Sequence, residues 1–252
     1  MEKVIPKTIH YCWFGKNPLP KLARKCIASW KKYCPDYEIV EWNETNFEVN
    51  GCRYAAEAYE AKKWAFLSDY ARYKILYEYG GVYLDTDVEL IKPLDEVINF
   101  GNYMGCENYT CEKMCVNPGL GCATVAGNAF YAEMIEEYEH SGFKNQDGSY
   151  DLKTVVERTT DLLKKHGLKD ALEIQKVCDI TVYPAEYFSP RDMRDGKIRL
   201  TKNSYSVHHC SASWATKKSV FYAATLRFVY RIFGEKGFNR LRKIFGKDRK
   251  KQ

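Results

Sequence analysis

The sequence has 252 residues, of which 45% are hydrophobic and 29% are charged, values ordinary for a soluble protein of one domain, or of one domain with an appendage. Its opening, MEKVIPKTIHYCWFG, lacks the basic segment and apolar run of a secretory signal. No run of about 18 apolar residues occurs, so we expect the protein to remain in the cytoplasm.

The net charge of +6 is unevenly distributed. Residues 217–252 hold 12 Lys and Arg against 2 Asp and Glu, a net charge of +10. The rest of the chain holds 27 basic and 31 acidic residues, a net charge of −4. The C-terminal segment is therefore the part that calls for a polyanionic partner.

The predicted elements alternate between strand and helix in the first half of the chain. Spacing of apolar residues predicts a helix over 20–33 and one or two helices over 54–79. Later helices are predicted over 127–141, 151–166 and the last 35 or so residues. Alternation predicts strands over 4–14, 37–42, 82–90, 180–184 and 204–209, with strand and loop over 102–126. This order predicts an α/β layer fold with a largely parallel sheet.

The stretch GGVYLDTDVEL, residues 80–90, contains the first candidate site. On a strand, Asp85 and Asp87 would point to the same face. Two close carboxylates repel each other unless a cation or a proton lies between them. Such a pair at a sheet edge suits Mg²⁺ or Mn²⁺, and the cation could bridge the diphosphate of a nucleotide.

The helix before this strand adds two charged residues. Asp69 and Arg72 are three residues apart, so they share a helix face. The helix runs through Gly80-Gly81 into the acidic strand, which could bring both residues into one pocket with Asp85 and Asp87. An ordinary ion pair within the helix is the alternative.

Two other interpretations of the aspartates can be compared with the sequence. A calcium-binding EF-hand loop beginning at Asp85 needs glycine at its sixth position, where this chain has Leu90. A phosphohydrolase that forms an aspartyl phosphate needs a downstream acidic pair and a lysine on the same sheet. We identify no such acidic pair, and this alternative stays open.

The ten cysteines include a cluster of four: Cys106, Cys111, Cys115 and Cys122. Their spacing matches no zinc motif, and the chain has no Cys-x-x-Cys pair. In a cytoplasmic protein we expect these residues to be reduced thiols.

Three segments together resemble glycosyltransferase family 32, which includes sugar transferases of capsular polysaccharide synthesis and the yeast initiating mannosyltransferase. More distantly they resemble the glucosylating clostridial toxins. The segments are IPKTIHYCWFGKNPLP, LSDYARYKILYEYGGVYLDTDVEL and YSVHHCSASW, which lie in the family's order between residues 5 and 214.

The resemblance implies a GT-A fold in residues 1–215, a Rossmann-like sheet that binds a nucleotide sugar. It implies a divalent metal, usually Mn²⁺, and transfer with retention of anomeric configuration. Asp85 would contact the ribose or the sugar, and Asp87 would bind the metal together with Asp85 and His209. Asp69 and Arg72 would hold the hydroxyls of the donor sugar.

The resemblance also implies residues around the nucleotide. Ile9, Tyr11 and Trp13 would flank the base, with Trp13 stacking on it, and Trp214 would approach the diphosphate. His208 and His209 alternate on a strand, so one of them can face the pocket. The position of Trp214 favours His209, although Cys210 and Ala212 stand where the family more often has an aromatic residue and a glycine.

Residues 216–252 mix phenylalanines with arginines and lysines, which is typical of a helix lying on an anionic membrane. A helical pair packed on the domain and a nucleic-acid-binding segment are the alternatives, and lipid is favoured. We therefore expect a glycosyltransferase at the inner face of the cell membrane that works in surface polysaccharide synthesis. It would add sugar from a nucleotide sugar, with UDP favoured over GDP, to a lipid-linked or other glycan acceptor. A catalytically inactive sugar- or membrane-binding protein is the alternative of another class.

Overall fold

A computed structural model describes residues 4–107, 114–192, 194–211 and 217–246 of the chain. The helices are α1 (Lys21–Tyr33), α2 (Arg53–Glu60), α3 (Trp64–Tyr79), α4 (Asp95–Asn99), α5 (Ala129–Glu139), α6 (Val155–Lys165), α7 (Ala185–Phe188) and α8 (Lys217–Gly246). The strands are β1 (Thr8–Cys12), β2 (Glu38–Trp42), β3 (Gly81–Tyr83), β4 (Val88–Leu90), β5 (Tyr103–Glu107), β6 (Cys115–Val116), β7 (Cys122–Thr124), β8 (Gln175–Val177), β9 (Ile180–Tyr183) and β10 (Ser206–His208).

The central sheet has the strand order β2-β1-β3-β7-β5-β9-β8, with β6 paired to β5. Strand β1 is parallel to both β2 and β3, whereas β7 is antiparallel to β3 and to β5. A second sheet pairs β4 with β10 in antiparallel fashion. The predicted α/β class is confirmed, and the parallel β2-β1-β3 side corresponds to the part of the sequence where strand and helix alternate.

Apolar residues pack on both faces of the central sheet in two clusters. Along β3, Tyr83 belongs to one cluster, while Val82 and its neighbour Leu84 belong to the other. Helices α2, α3, α5 and α6 contribute to the first cluster, and α1 and α4 to the second. The sheet is therefore the middle layer of the fold.

Helix α1 fixes the position of β4. Its Ala23, Cys26 and Trp30 are buried at the spacing of one helix face. The Trp30 indole N–H donates a hydrogen bond of 2.7 Å to the carbonyl oxygen of Val88, the first residue of β4. The strand that follows the two aspartates is thereby tied to the core.

Helix α3 ends at the two glycines that precede β3. Gly80 has φ 66° and Gly81 has φ 98°, a backbone region that residues with a side chain rarely adopt. A Cβ at Gly80 would lie 2.8 Å from the backbone nitrogen of Ala126, and one at Gly81 would lie 2.8 Å from the carbonyl oxygen of Thr8. The glycines let the chain pass directly from a buried helix into the sheet.

The structure corrects the single strand predicted over residues 82–90. Strand β3 ends at Tyr83 in the central sheet, and β4 begins at Val88 in the two-stranded sheet. Asp85 and Asp87 lie in the turn between them, so the argument that they share the face of a strand was wrong.

Helix α8 contains a kink at Gly234, where φ is 61° and ψ is −159°. Its side chains contact the loop before β10, where the Arg231 Nε–H donates a 2.7 Å hydrogen bond to the carbonyl oxygen of Asp195. Across the described ranges, α8 included, no helix combines the length and the hydropathy needed to cross a bilayer.

Candidate active site

A β-turn brings the two aspartates together. The backbone N–H of Val88 donates to the carbonyl oxygen of Asp85 at 3.0 Å, which closes a four-residue turn. The backbone N–H of Asp85 donates in turn to the carbonyl oxygen of Gly119 at 3.0 Å. Aspartate is favoured at the first position of such a turn, so the local sequence and the long-range contact agree.

His208 completes a cluster with the aspartates. Strand β10 pairs with β4 so that His208 lies opposite Val88. One ligand atom from each of Asp85, Asp87 and His208 lies within 4.8 Å of the others. Two carboxylate oxygens and one imidazole nitrogen form a donor set that fits a divalent cation such as Mn²⁺.

The structure brings His208, and not the predicted His209, to the aspartates. The His208 Nε2–H donates to Asp87 Oδ1 at 3.1 Å, whereas the His209 Nε2–H donates to Glu89 Oε2 at 2.8 Å. The inference from the position of Trp214 failed because the register of β10 with β4 places His208 opposite Val88, while the side chain of His209 meets Glu89. Trp214 itself lies outside the described residues.

Asp87 is held in its charged form. Burial raises the pKa of its carboxyl, but hydrogen bonds from His208 and from the backbone N–H of Ser211, at 2.7 Å, lower the pKa overall well below its usual range. Burial lowers the pKa of His208, while the contact with Asp87 raises it overall well above its usual value. Asp87 therefore stabilises positive charge beside it, the property that a cation site requires.

Arg72 links the helix to this cluster. Its Nη2 lies 2.9 Å from Asp69 Oδ1 and 3.3 Å from Asp85 Oδ1. The residue is only 3% exposed, and its Nη1 has no hydrogen-bond partner among the described residues. A buried donor without a partner costs about 1–3 kcal/mol, so a ligand oxygen that reached Nη1 would gain a prepared partner.

Asp69 lies beside the beginning of α6. Burial raises the pKa of its carboxyl to about 6, and the Asp85 charge adds to the rise, while Arg72 and the backbone N–H of Val155 oppose it. The predicted residues Asp69, Arg72, Asp85 and Asp87 thus meet in one place. Asp69 and Arg72 form the ion pair expected for a helix face, and the Arg72 guanidinium extends that pair to Asp85.

Gly119 is a site residue that sequence reasoning missed. It lies in a short 3-10 helix, Pro118–Leu120, whose backbone packs against the aspartates. A Cβ at Gly119 would collide with the Asp85 carboxylate and lie 3.0 Å from Arg72 Nη1. The sequence Asn117-Pro118-Gly119 is typical of a turn, but nothing in the sequence ties that turn to Asp85.

The residues predicted to flank a base lie in different environments. Ile9 is fully buried in the core, which corrects its placement beside a ligand. Tyr11 is also buried, and its hydroxyl donates to Glu41 Oε2 at 2.6 Å. Trp13, just beyond β1, is half-buried and donates from Nε1 to the Asn17 carbonyl oxygen at 2.6 Å. Of these three, Trp13 has the most accessible ring.

Among the described residues, the cluster of Asp85, Asp87 and His208 is the one group of three ligand side chains close enough to hold a metal ion. Cys106, Cys115 and Cys122 form no such group, and Cys111 lies outside the described residues. Among the described residues, the cysteines that cluster in the sequence therefore form no metal centre.

Part of the chain is similar to a known protein family. Residues 20–103 match the family model described as a glycosyltransferase sugar-binding region containing a DXD motif. This range includes Asp69, Arg72, Asp85 and Asp87. Residues 20–103 are therefore assigned to the sugar-binding region of the DXD glycosyltransferases. The resemblance carried by the sequence motifs is thereby confirmed.

The curated relatives agree with this assignment. Inositol phosphoceramide mannosyltransferase 3 of Schizosaccharomyces pombe (strain 972 / ATCC 24843) is 33% identical over 108 residues, which cover 38% of this chain and 28% of that protein. Uncharacterized glycosyltransferase L373 of Acanthamoeba polyphaga mimivirus is 24% identical over 224 residues, 84% of each chain. The chain spans about a third of the length of the mannosyltransferases that it matches.

Solved structures support the fold. The PaToxG glycosyltransferase has a TM-score of 0.50 and 16% identity, over 65% of this chain and 70% of that one. At this level of identity the likeness concerns the fold, which is the GT-A type predicted from the sequence.

Proposed function

We propose that this chain transfers a sugar from a nucleotide sugar, with UDP favoured over GDP, to a hydroxyl group of a glycan acceptor. The observation that carries the proposal is the buried Arg72, which joins Asp69 to Asp85 beside the cluster of Asp85, Asp87 and His208. That arrangement places a cation site beside charged side chains that can form hydrogen bonds with a polyhydroxylated ligand.

In this proposal Asp85, Asp87 and His208 hold Mn²⁺, or Mg²⁺. The bound cation supplies positive charge opposite the leaving diphosphate. Carboxylate oxygens suit both ions, and the imidazole nitrogen favours Mn²⁺. The Ser211 N–H and the Asp85–Val88 turn keep the two carboxylates in place, so the site is organised before the ligand arrives.

The residues of the helix position the donor. Asp69 accepts hydrogen bonds from sugar hydroxyls, and the buried Arg72 holds the carboxylates of Asp69 and Asp85 in place beside the donor. The bond between the anomeric carbon and the diphosphate oxygen breaks, and the acceptor oxygen forms the new bond from the same face. The acceptor proton passes to the leaving phosphate oxygen. This route gives retention without an enzyme nucleophile.

We further propose that the enzyme works in the cytoplasm at the inner face of the cell membrane, in synthesis of a surface polysaccharide of the capsular type. The relatives named inositol phosphoceramide mannosyltransferases are named for a lipid, which supports an acceptor carried on lipid. The basic residues 217–252 suit such a location.

A panel of nucleotide sugars, each with Mn²⁺ or with EDTA, tests the donor and the cation together. A donor at 100 times its Kd stabilises the folded state by about 2.7 kcal/mol. For a chain of this size that is a rise in Tm of about 5–10 °C. We expect the rise with one donor and Mn²⁺, its loss in EDTA, and turnover of the same donor with a glycan acceptor.

His208→Ala and His209→Ala form a matched pair of variants for this assay. We expect His208→Ala to weaken Mn²⁺ binding by about 100-fold, while His209→Ala keeps the metal-dependent shift. Equal losses in both variants would contradict the site described above. Binding without turnover would favour a sugar-binding protein, and release of inorganic phosphate from small phosphate esters would favour a phosphohydrolase.

A further inference from the structure

The outer face of α8 exposes large apolar side chains. Phe228 is 63% exposed and Ile232, one helical turn further on, is 55% exposed. Phe233 follows at 67%, immediately before the kink at Gly234. We call Phe228, Ile232 and Phe233 the α8 apolar patch. Neighbouring apolar side chains that remain in water on one element mark an interaction surface.

Contacts on the other side of α8 fix the direction in which this patch faces. Val229 is buried, and Arg231 bonds the carbonyl oxygen of Asp195. The guanidinium of Arg194 lies 5.6 Å from the ring centroid of Tyr230. The helix is thus seated on the loop around Gly196 by residues interleaved with the patch. While these residues contact the loop, Phe228 and Ile232 point away from it into solvent.

The charge of the segment specifies the partner. Residues 217–252 carry 12 basic and 2 acidic residues, on a chain whose remainder is slightly acidic. Arg240 is exposed beyond the kink. A bilayer with anionic lipids complements both features: its headgroups attract the basic residues, and its acyl chains accept exposed phenylalanine and isoleucine side chains.

We propose that the α8 apolar patch docks on an anionic lipid bilayer, with the basic residues of the segment bound to lipid headgroups. A nucleic acid would leave Phe228 and Ile232 in water. A second copy of the chain that met this patch with its own patch would bring two basic segments together, and their like charges would repel. The proposal depends on neither the cation nor the donor sugar. It rests on the membrane location proposed above, but its failure would leave the proposed sugar transfer intact, so the two failures are distinguishable.

Sedimentation of the full chain with lipid vesicles tests the proposal. Vesicles of phosphatidylcholine are compared with vesicles of equal parts phosphatidylcholine and phosphatidylglycerol. We expect the protein to sediment with the anionic vesicles and to stay in solution with the neutral ones. At about 0.5 M salt, where charges are screened within a few ångströms, we expect binding to weaken.

The double variant Phe228→Ser with Ile232→Ser isolates the patch. It should lower the affinity for anionic vesicles by about tenfold or more, with Tm preserved because both side chains are exposed. The matched control is Leu172→Ser with Ile174→Ser, which alters side chains that are 63% and 51% exposed and lie outside α8. Arg240→Glu should lower the affinity several-fold through charge alone.

Three results would overturn the proposal. The first is an absence of sedimentation with anionic vesicles. The second is equal loss in the patch variant and in the control. The third is a concentration-dependent dimer that Phe228→Ser with Ile232→Ser abolishes, which would assign the patch to a second copy of this chain.

Discussion

The absence of a side chain at Gly119 allows Asp85 and Arg72 to meet. Its carbonyl oxygen accepts the N–H of Asp85, and its own N–H donates to Asn117 Oδ1 at 2.8 Å. Asn117 Nδ2 donates to Glu107 Oε2 at 2.7 Å, so the segment is fixed from behind. Because this support is rigid, a Cβ would displace the carboxylate and not the loop.

We therefore expect Gly119→Ala to lower kcat/KM for the donor by about 100-fold, the effect of a catalytic group moved by about 1 Å. Mn²⁺ affinity, measured by calorimetry without donor, should fall as well. The control is Gly51→Ala, whose Cβ would meet only Glu48, at 3.2 Å or more. Wild-type metal affinity in Gly119→Ala would show that Asp85 keeps its place without the glycine.

The sequence alone does not determine which of His208 and His209 faces the aspartates. Alternation on a strand predicts that one of the two faces the aspartates, but it does not say which. That parity is set by the pairing of β10 with β4, in which His208 lies opposite Val88. The pairing is a contact across more than a hundred residues and leaves no mark on the local sequence.

At the scale of elements, long periodic segments were predictable and short ones were not. Helix α1, Lys21–Tyr33, coincides closely with the predicted 20–33. Helix α4, strand β8 and helix α7 have five residues or fewer and were not predicted. Elements of this length are too short for the spacing of their apolar residues to distinguish helix from strand, so tertiary contacts decide whether they form.

The break between β3 and β4 has a physical cause that the hydrophobic pattern conceals. Val82, Leu84, Val88 and Leu90 are all buried, which reads as one continuous strand. The first two belong to the central sheet or its extension, and the last two to the pair with β10. Asp85 at the start of a turn was the contrary indication in the sequence.

His10 joins β1 to the end of α3 as a neutral imidazole. The Trp42 Nε1–H donates to its Nδ1 at 3.0 Å, so the proton must be on Nε2, which donates to the Gly80 carbonyl oxygen at 3.0 Å. Burial lowers the pKa of His10 to about 4, and the Gly80 contact opposes the fall. The folded state thus binds a proton at His10 less readily than the unfolded chain, whose value is 6.5.

The sign of the resulting pH dependence follows. The stability that neutral His10 provides is present above pH 6.5 and is lost as the pH falls through about 4, with a total of about 3 kcal/mol. We expect His10→Gln to be less stable than wild type at pH 7.5 and to lose less unfolding free energy between pH 6.5 and 4. Denaturant titrations at several pH values measure both, with the exposed His140→Gln as control. Parallel curves for wild type and His10→Gln would refute the assignment.

At the scale of the molecule, strand pairing brings together the three segments that resemble glycosyltransferase family 32. The first contributes β1, which is parallel to β3 from the second, and the third contributes β10, which pairs with β4. The motifs are separated along the chain yet adjacent in the fold. The family resemblance could identify this constellation from the sequence because it carries contacts that local patterns lack.

The cysteines give a last prediction for the whole fold. Burial raises the pKa of five thiols to about 11 or 12, namely Cys12, Cys26, Cys34, Cys106 and Cys122. At pH 8 a thiol of pKa 12 is about one part in 10⁴ thiolate, the reactive form. We expect these five to resist iodoacetamide in the native protein and all ten cysteines to react in denaturant, as read by peptide mass mapping. Early labelling of Cys12 or Cys122, which lie on β1 and β7, would mean that the sheet opens around the site, because neither thiol can become a thiolate while both strands stay packed.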